Sequence, residues 1–109
     1  MSFTNAEKIA GLEKLLEDDP ADFTGWFLLG RLYLEEARPV DAAGAFQKAV
    51  EAKPDYSAAW KQLGDAWRRA EDTDRALAAY RQGLAVAEAN RDLQTVKELQ
   101  VFIRKLSGE

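Results

Sequence analysis

The sequence predicts an all-α fold of about six helices, organised around an internal repeat. Three observations carry this expectation. Apolar residues recur at helical spacing between the three prolines, Pro20, Pro39 and Pro54, as amphipathic helices require. No segment alternates with period two over a useful length, so strands are unsupported. The octet WFLLGRLY, starting at Trp26, returns as WKQLGDAW at Trp60, 34 residues later.

The first helix is expected over residues 4–17. Thr4 and Glu7 form an S/T-x-x-E capping box, in which each side chain satisfies the other's free backbone N–H. Ile9, Leu12, Leu15 and Leu16 then share a face, and Asp18, Asp19 and Pro20 end the helix. The second runs over residues 22–36, where Trp26, Leu29, Gly30 and Tyr33 form one stripe at i, i+3, i+4 and i+7. Pro39 suits only the first turn of a helix. The third therefore covers 40–53, with Ala42, Ala45, Phe46, Ala49 and Val50 facing inward, and Pro54 stops it. Asp55 or Ser57 is available to cap the fourth, 57–70, and Asp72 or Thr73 to cap the fifth, 74–88. The inward face of the fifth is Ala76, Leu77, Tyr80, Leu84 and Ala87. Asn90 is a good cap for a sixth helix over 91–107, banded by Leu93, Val96, Leu99, Phe102, Ile103 and Leu106. A helix beyond about 25 residues is unusual in a chain this small, so a break at Asn90 is expected over a continuous helix.

Composition narrows the function classes. Hydrophobic residues make up 47% of the chain, with eleven aromatics among them, enough for a packed core and too many for a disordered chain. The 15 basic residues are outnumbered by 19 acidic ones, a net charge of −4. A nucleic-acid partner, which calls for surplus Lys and Arg, is not expected. Cysteine and histidine are absent. Disulfides and thiolate zinc sites are thereby excluded, and the commonest general base and metal ligand is missing. No metal, cofactor or catalytic residue is expected. Acids are scattered through the N-terminal segment, unlike a signal peptide, and no window approaches the ~18 apolar residues of a membrane span. A soluble, cytoplasmic protein that binds no membrane is the expectation.

At an offset of 34, Trp26 aligns with Trp60, Leu29 with Leu63, Gly30 with Gly64 and Tyr33 with Trp67. Ala42 aligns with Ala76, Phe46 with Tyr80 and Pro20 with Pro54. This period with these residues resembles the tetratricopeptide repeat. The resemblance is strong over residues 12–90 and implies one domain over 1–109. That domain holds a half-repeat helix at 4–19, full repeats at 22–56 and 57–90, and a capping helix at 91–107 that shields the last apolar face. The implied fold is an antiparallel helix-pair repeat stack wound as a right-handed superhelix. Gly30 and Gly64 let the partner helix approach, Ala42 and Ala49 serve the same crossing from the other side, and Trp26 and Tyr33 fill the space between stacked repeats. The second repeat departs at Gly83, where the first has Ala49, and at Glu88, where a proline is expected. After Asn90 the signature positions hold Gln94, Lys97, Glu98 and Val101, so no standard third repeat follows.

Such arrays are similar to one another in holding partners rather than catalysing reactions. The resemblance implies a concave groove for a peptide or protein segment, lined by the first helix of each repeat. The face left over from packing offers Thr24, Phe27, Leu28, Arg31, Leu34 and Glu35 on the second helix. On the fourth it offers Ala58, Lys61, Gln62, Asp65, Arg68 and Arg69. The candidate groove residues are Phe27, Arg31, Leu34, Lys61, Gln62, Asp65 and Arg68. Phe27 beside Arg31 suits an extended segment bearing an apolar side chain and a carboxylate. The competing reading packs Phe27 and Leu34 against a terminal helix. Lys61, Arg68 and Arg69 form either a basic strip for an acidic partner or a solvated face paired locally with Asp65.

The lysine–asparagine–arginine clamp by which some family members hold chaperone tails is absent. Phe27 and Arg31 stand where its first lysine and asparagine belong, and Asp65 where its second asparagine does. The adjacent acids Glu35–Glu36 and Asp18–Asp19 point in different directions and read as solvated surface. No nucleophile, base and orienting group can be assembled, so an enzyme is not expected. The adaptor reading competes with a structural one, in which Val101, Phe102 and Ile103 on the terminal helix make a homo-oligomer. Monomer or weak homodimer is the expected state.

Overall fold

The computed structural model describes residues 2–108, so Met1 and Glu109, the ends of the expected 1–109 unit, lie outside the described residues. Six helices follow one another, and no strand occurs among the described residues. They are α1 (Asn5–Asp18), α2 (Phe23–Glu35), α3 (Pro39–Ala52), α4 (Ser57–Arg69), α5 (Thr73–Ala89) and α6 (Leu93–Ser107). Each bound falls within two residues of its expected place, and the helix is interrupted near Asn90.

Local chemistry sets these bounds. The Thr4–Glu7 capping box forms: the Thr4 N–H donates to Glu7 Oε1 at 3.0 Å and the Glu7 N–H to Thr4 Oγ1 at 3.1 Å. Asp72 and Asp92 cap α5 and α6 by accepting from the N–H of Arg75 and Thr95. A carboxylate is favoured there by the positive end of the helix dipole. Two cap expectations are corrected. Tyr56, not Asp55 or Ser57, occupies the N-cap of α4 and makes no side-chain cap. Asn90 is the C-cap of α5 rather than the N-cap of α6. Its amide donates instead to the Asp55 carbonyl at 2.8 Å, tying the turn after α5 to the turn before α4.

The helices pack in succession: α1 on α2, α2 on α3, α3 on α4, α4 on α5 and α5 on α6. The result is elongated, 45 × 27 × 24 Å, as stacked hairpins require. One core cluster gathers Leu29, Tyr33, Phe46, Val50 and Leu63; a second gathers Tyr80 and Leu99 with Phe102, Ile103 and Leu106 against them. Trp67 packs on both. A hydrogen bond explains the fixed interval between proline and tryptophan in each repeat. The indole N–H of Trp26 donates to the Pro20 carbonyl, and that of Trp60 to the Pro54 carbonyl, both at 2.8 Å.

Two residues placed inward by periodicity face outward. Leu15 is 63% exposed and Leu93 is 68% exposed. Leu93 is the first residue of α6, ahead of the turn that meets α5. Leu15 lies on a side of α1 that no helix covers among the described residues. No helix among the described residues is long and apolar enough to cross a membrane.

Candidate functional site

α2 and α4 occupy equivalent places in the two hairpins, and both bury one face through Leu29–Gly30 and Leu63–Gly64. The opposite faces carry the residues singled out from sequence, and the structure divides them.

Phe27 is half-buried in an aromatic cluster. Its ring stacks on Phe23 at 5.6 Å and meets Phe46 and Tyr56 edge-on at 5.7 and 6.1 Å. These are favoured quadrupole geometries. The Lys53 ammonium lies 5.5 Å from the Phe23 ring and 5.0 Å from the Tyr56 ring. Phe27 therefore packs against α3 and the α3–α4 turn. Leu34 is half-buried against the first core cluster. Arg31, one turn beyond Phe27, is exposed. With Leu28 and Glu35 it borders an open groove of about 900 Å³ between α1 and α2.

On α4, Lys61 does not pair with Asp65. Its ammonium is ion-paired with Glu98 of α6 and lies 5.7 Å from the Phe102 ring. The hydrogen bond from Lys61 holds the Glu98 carboxyl below the usual glutamate range, against the opposing effect of burial. Asp65 instead accepts the Tyr80 hydroxyl proton from α5. Burial, and then this bond, push the Tyr80 phenol upward. The Arg68 guanidinium stands 3.7 Å from Asp65, the one local pairing of the expected strip that forms. Gln62 is half-buried, and Arg68 and Arg69 are exposed. The basic strip is thus two arginines, with Lys61 committed to docking α6.

The oligomer contacts expected on α6 also divide. Val101 is 40% exposed, while Phe102 and Ile103 pack on the second core cluster. Sequence reasoning misses the α1–α2 groove and its exposed Phe3, Leu15 and Leu28. Comparing registers finds part of it: Leu15 stands where the first repeat has Ala49, a large side chain at a small-residue position.

The fold defines a helix-pair repeat protein: two hairpins in 34-residue register with one further helix at each end. Residues 9–57 and 37–92 match the model of the tetratricopeptide repeat, and the chain belongs to that family. It is similar to the TPR repeat-containing protein PA0015 of Pseudomonas aeruginosa, 44% identical over 98 residues, covering 90% of this chain and 93% of that protein. The solution structure of protein BPP2914 from Bordetella parapertussis is 34% identical with a TM-score of 0.76, over 98% of this chain and 90% of that one. A tetratricopeptide repeat domain protein from Salinibacter ruber is 30% identical with a TM-score of 0.73, over 82% and 90%. The tetratricopeptide fold generally mediates protein–protein interaction, and its members are generally non-enzymatic scaffolds.

Proposed function

We propose that this protein is a non-catalytic adaptor that holds an acidic peptide or protein segment against the outward faces of α2 and α4. One observation carries the reading. Both helices are fixed through one face in the core, and they leave Arg31, Arg68 and Arg69 exposed on another. Cations held on rigid helices are preorganised for carboxylates, and guanidinium forks bind them bidentately. Phe27 and Leu34 form the apolar floor of this surface, with Lys61, Gln62 and Asp65 beside it on α4.

The test is affinity capture from a lysate with the wild-type chain and with an Arg31→Ala, Arg68→Ala, Arg69→Ala triple variant. These side chains are exposed, so the variant keeps its helical circular dichroism. The wild type is expected to retain acidic proteins that the variant loses. Retention of the same set by both ends this reading.

A further inference from the structure

The groove between α1 and α2 lies where the repeat geometry calls for a helix. Its lining residues Gly11, Leu12 and Leu15 correspond, at offsets of 34 and 68, to Ala45, Phe46 and Ala49 and to Ala79, Tyr80 and Gly83. All six equivalents are buried. In the first hairpin Phe46 lies under Gly30 of α2; in the second Tyr80 lies under Gly64 of α4. Among the described residues nothing covers the same surface of α1. Phe3, Leu15 and Leu28 are left 71%, 63% and 44% exposed around it.

Gly11 leaves room for close approach to this surface. A glycine in mid-helix destabilises the helix relative to alanine, and no atom lies within 4 Å of where its Cβ would stand. Among the described residues nothing requires it; Gly44 on the outer side of α3 is open in the same way, so Gly11 permits a second helix to cross closely there without by itself requiring one. Charge identifies that helix. Glu7 and Lys14 are equidistant from the Ala10–Gly11 midpoint of α1. An antiparallel copy of α1 crossing there sets each Glu7 opposite Lys14 of the partner subunit. The rim is also balanced, with Glu7, Asp18 and Glu35 against Lys8, Lys14 and Arg31, although the chain carries −4 overall. Two such faces meet without net repulsion.

We propose that this face is a twofold homodimer interface, in which α1 of a second copy fills the vacant seat on α1. It runs antiparallel, as helices joined by a short turn do within each hairpin, and the contact is isologous. The interface lies on the α1 side of α2 and shares Arg31 with the proposed adaptor surface, but it does not depend on a peptide binding at Arg68 and Arg69.

Sedimentation equilibrium at low ionic strength, where charge is least screened, tests it. The wild-type mass is expected to rise from the chain mass of 12.2 kDa to twice that value with concentration. Lys14→Glu is expected to stay monomeric, because like charges then face each other; so is Glu7→Lys, which in addition opens the capping box with Thr4. Equal parts of the two variants are expected to re-form the dimer, since every facing pair is again opposite in sign. Gly11→Arg blocks the crossing while raising helix propensity. It is expected to be monomeric, with a Tm no lower than that of wild type at concentrations where the wild type is itself monomeric, which separates loss of association from loss of folding. A wild type that stays monomeric throughout, a mass that grows past two chains, a dimeric Gly11→Arg, or a mixture that does not recover the dimer each overturns the proposal.

Discussion

Gly30 lies against the ring of Phe46: a Cβ built on it would stand 2.6 Å from Cε1. Gly64 faces Tyr80 in the same way one repeat later. The two helices of each hairpin therefore meet at backbone-to-ring distance. Gly44, on the outer side of α3, has no atom within 4 Å of the same construction. Gly30→Ala and Gly64→Ala are expected to destabilise by roughly 1–3 kcal/mol through overpacking. Gly44→Ala is expected to stabilise by roughly 0.5–1 kcal/mol through helix propensity. Urea unfolding measures all three. A Gly64→Ala chain as stable as wild type removes this crossing as the contact that organises the hairpins.

Three helix ends hold strained residues. Ala37, Glu71 and Arg91 have φ of 56°, 63° and 57°. After each, the next N–H reaches five residues back: Arg38 to the Tyr33 carbonyl, Asp72 to Trp67 and Asp92 to Ala87, all at 2.9 Å. Glycine is the usual residue at such a left-handed cap, because a Cβ crowds the following carbonyl. Glu71→Gly is expected to raise stability by roughly 0.5–1 kcal/mol, and the β-branched Glu71→Val to lower it. Thermal unfolding decides; equal Tm values for the two variants refute the strain.

The register of the repeat is legible in the sequence because packing repeats the same demand. A small residue is needed wherever two helices cross, so Gly30 and Gly64 recur with Phe46 and Tyr80. The surface is less legible, since its contacts join residues far apart. A helical projection sets Phe27 on an outward face, yet Tyr56, delivered by the turn after Pro54, closes over it. Lys61 sees Asp65 four residues on in sequence, but Glu98 takes it, 37 residues away. Asp65 is meanwhile claimed by Tyr80. Leu15 reads as core because its register is a core register in the two hairpins that follow.

Phe27 consequently reports on folding as well as binding. Phe27→Ala removes its contacts with Phe23, Phe46 and Tyr56. A fully buried Phe→Ala costs about 3–5 kcal/mol. At this half-exposed site, about 2–3 kcal/mol is expected from the smaller loss of buried apolar area. An unfolding midpoint equal to that of wild type would make Phe27 a free surface side chain after all.

Acid should release α6 first. Glu98 is held below the usual carboxylate range by the hydrogen bond from Lys61, and Asp92 by its bonds with Thr95. A depressed folded value means that the unfolded chain takes up the proton first. The stabilisation is therefore present above the ordinary carboxylate range and is lost as pH falls through the folded values. Amide exchange in α6 is expected to accelerate on acidification before exchange in α2 and α3 does. Glu98→Gln should remove much of that pH dependence. Uniform acceleration across all six helices contradicts a local latch at Lys61–Glu98.

Alkali acts through the two buried phenols. Burial, followed by the 2.8 Å hydrogen bond to Glu13 of α1, pushes Tyr33 from 10.0 up to about 12. Burial and Asp65 push Tyr80 up as well. A raised folded value leaves the stabilisation complete below the ordinary tyrosine range. It is lost as pH rises through the folded value, because the unfolded chain ionises first. The window for Tyr33 thus runs from its ordinary 10.0 to about 12. Tyr33→Phe keeps the ring and gives up the bond to Glu13, at a cost of about 1 kcal/mol at neutral pH. Without a phenol to ionise there, the variant should lose stability less steeply across that window, and the two stability curves should converge. Thermal unfolding followed by circular dichroism through the window makes the comparison. Parallel curves for wild type and Tyr33→Phe rule out Tyr33 as a source of the alkaline loss.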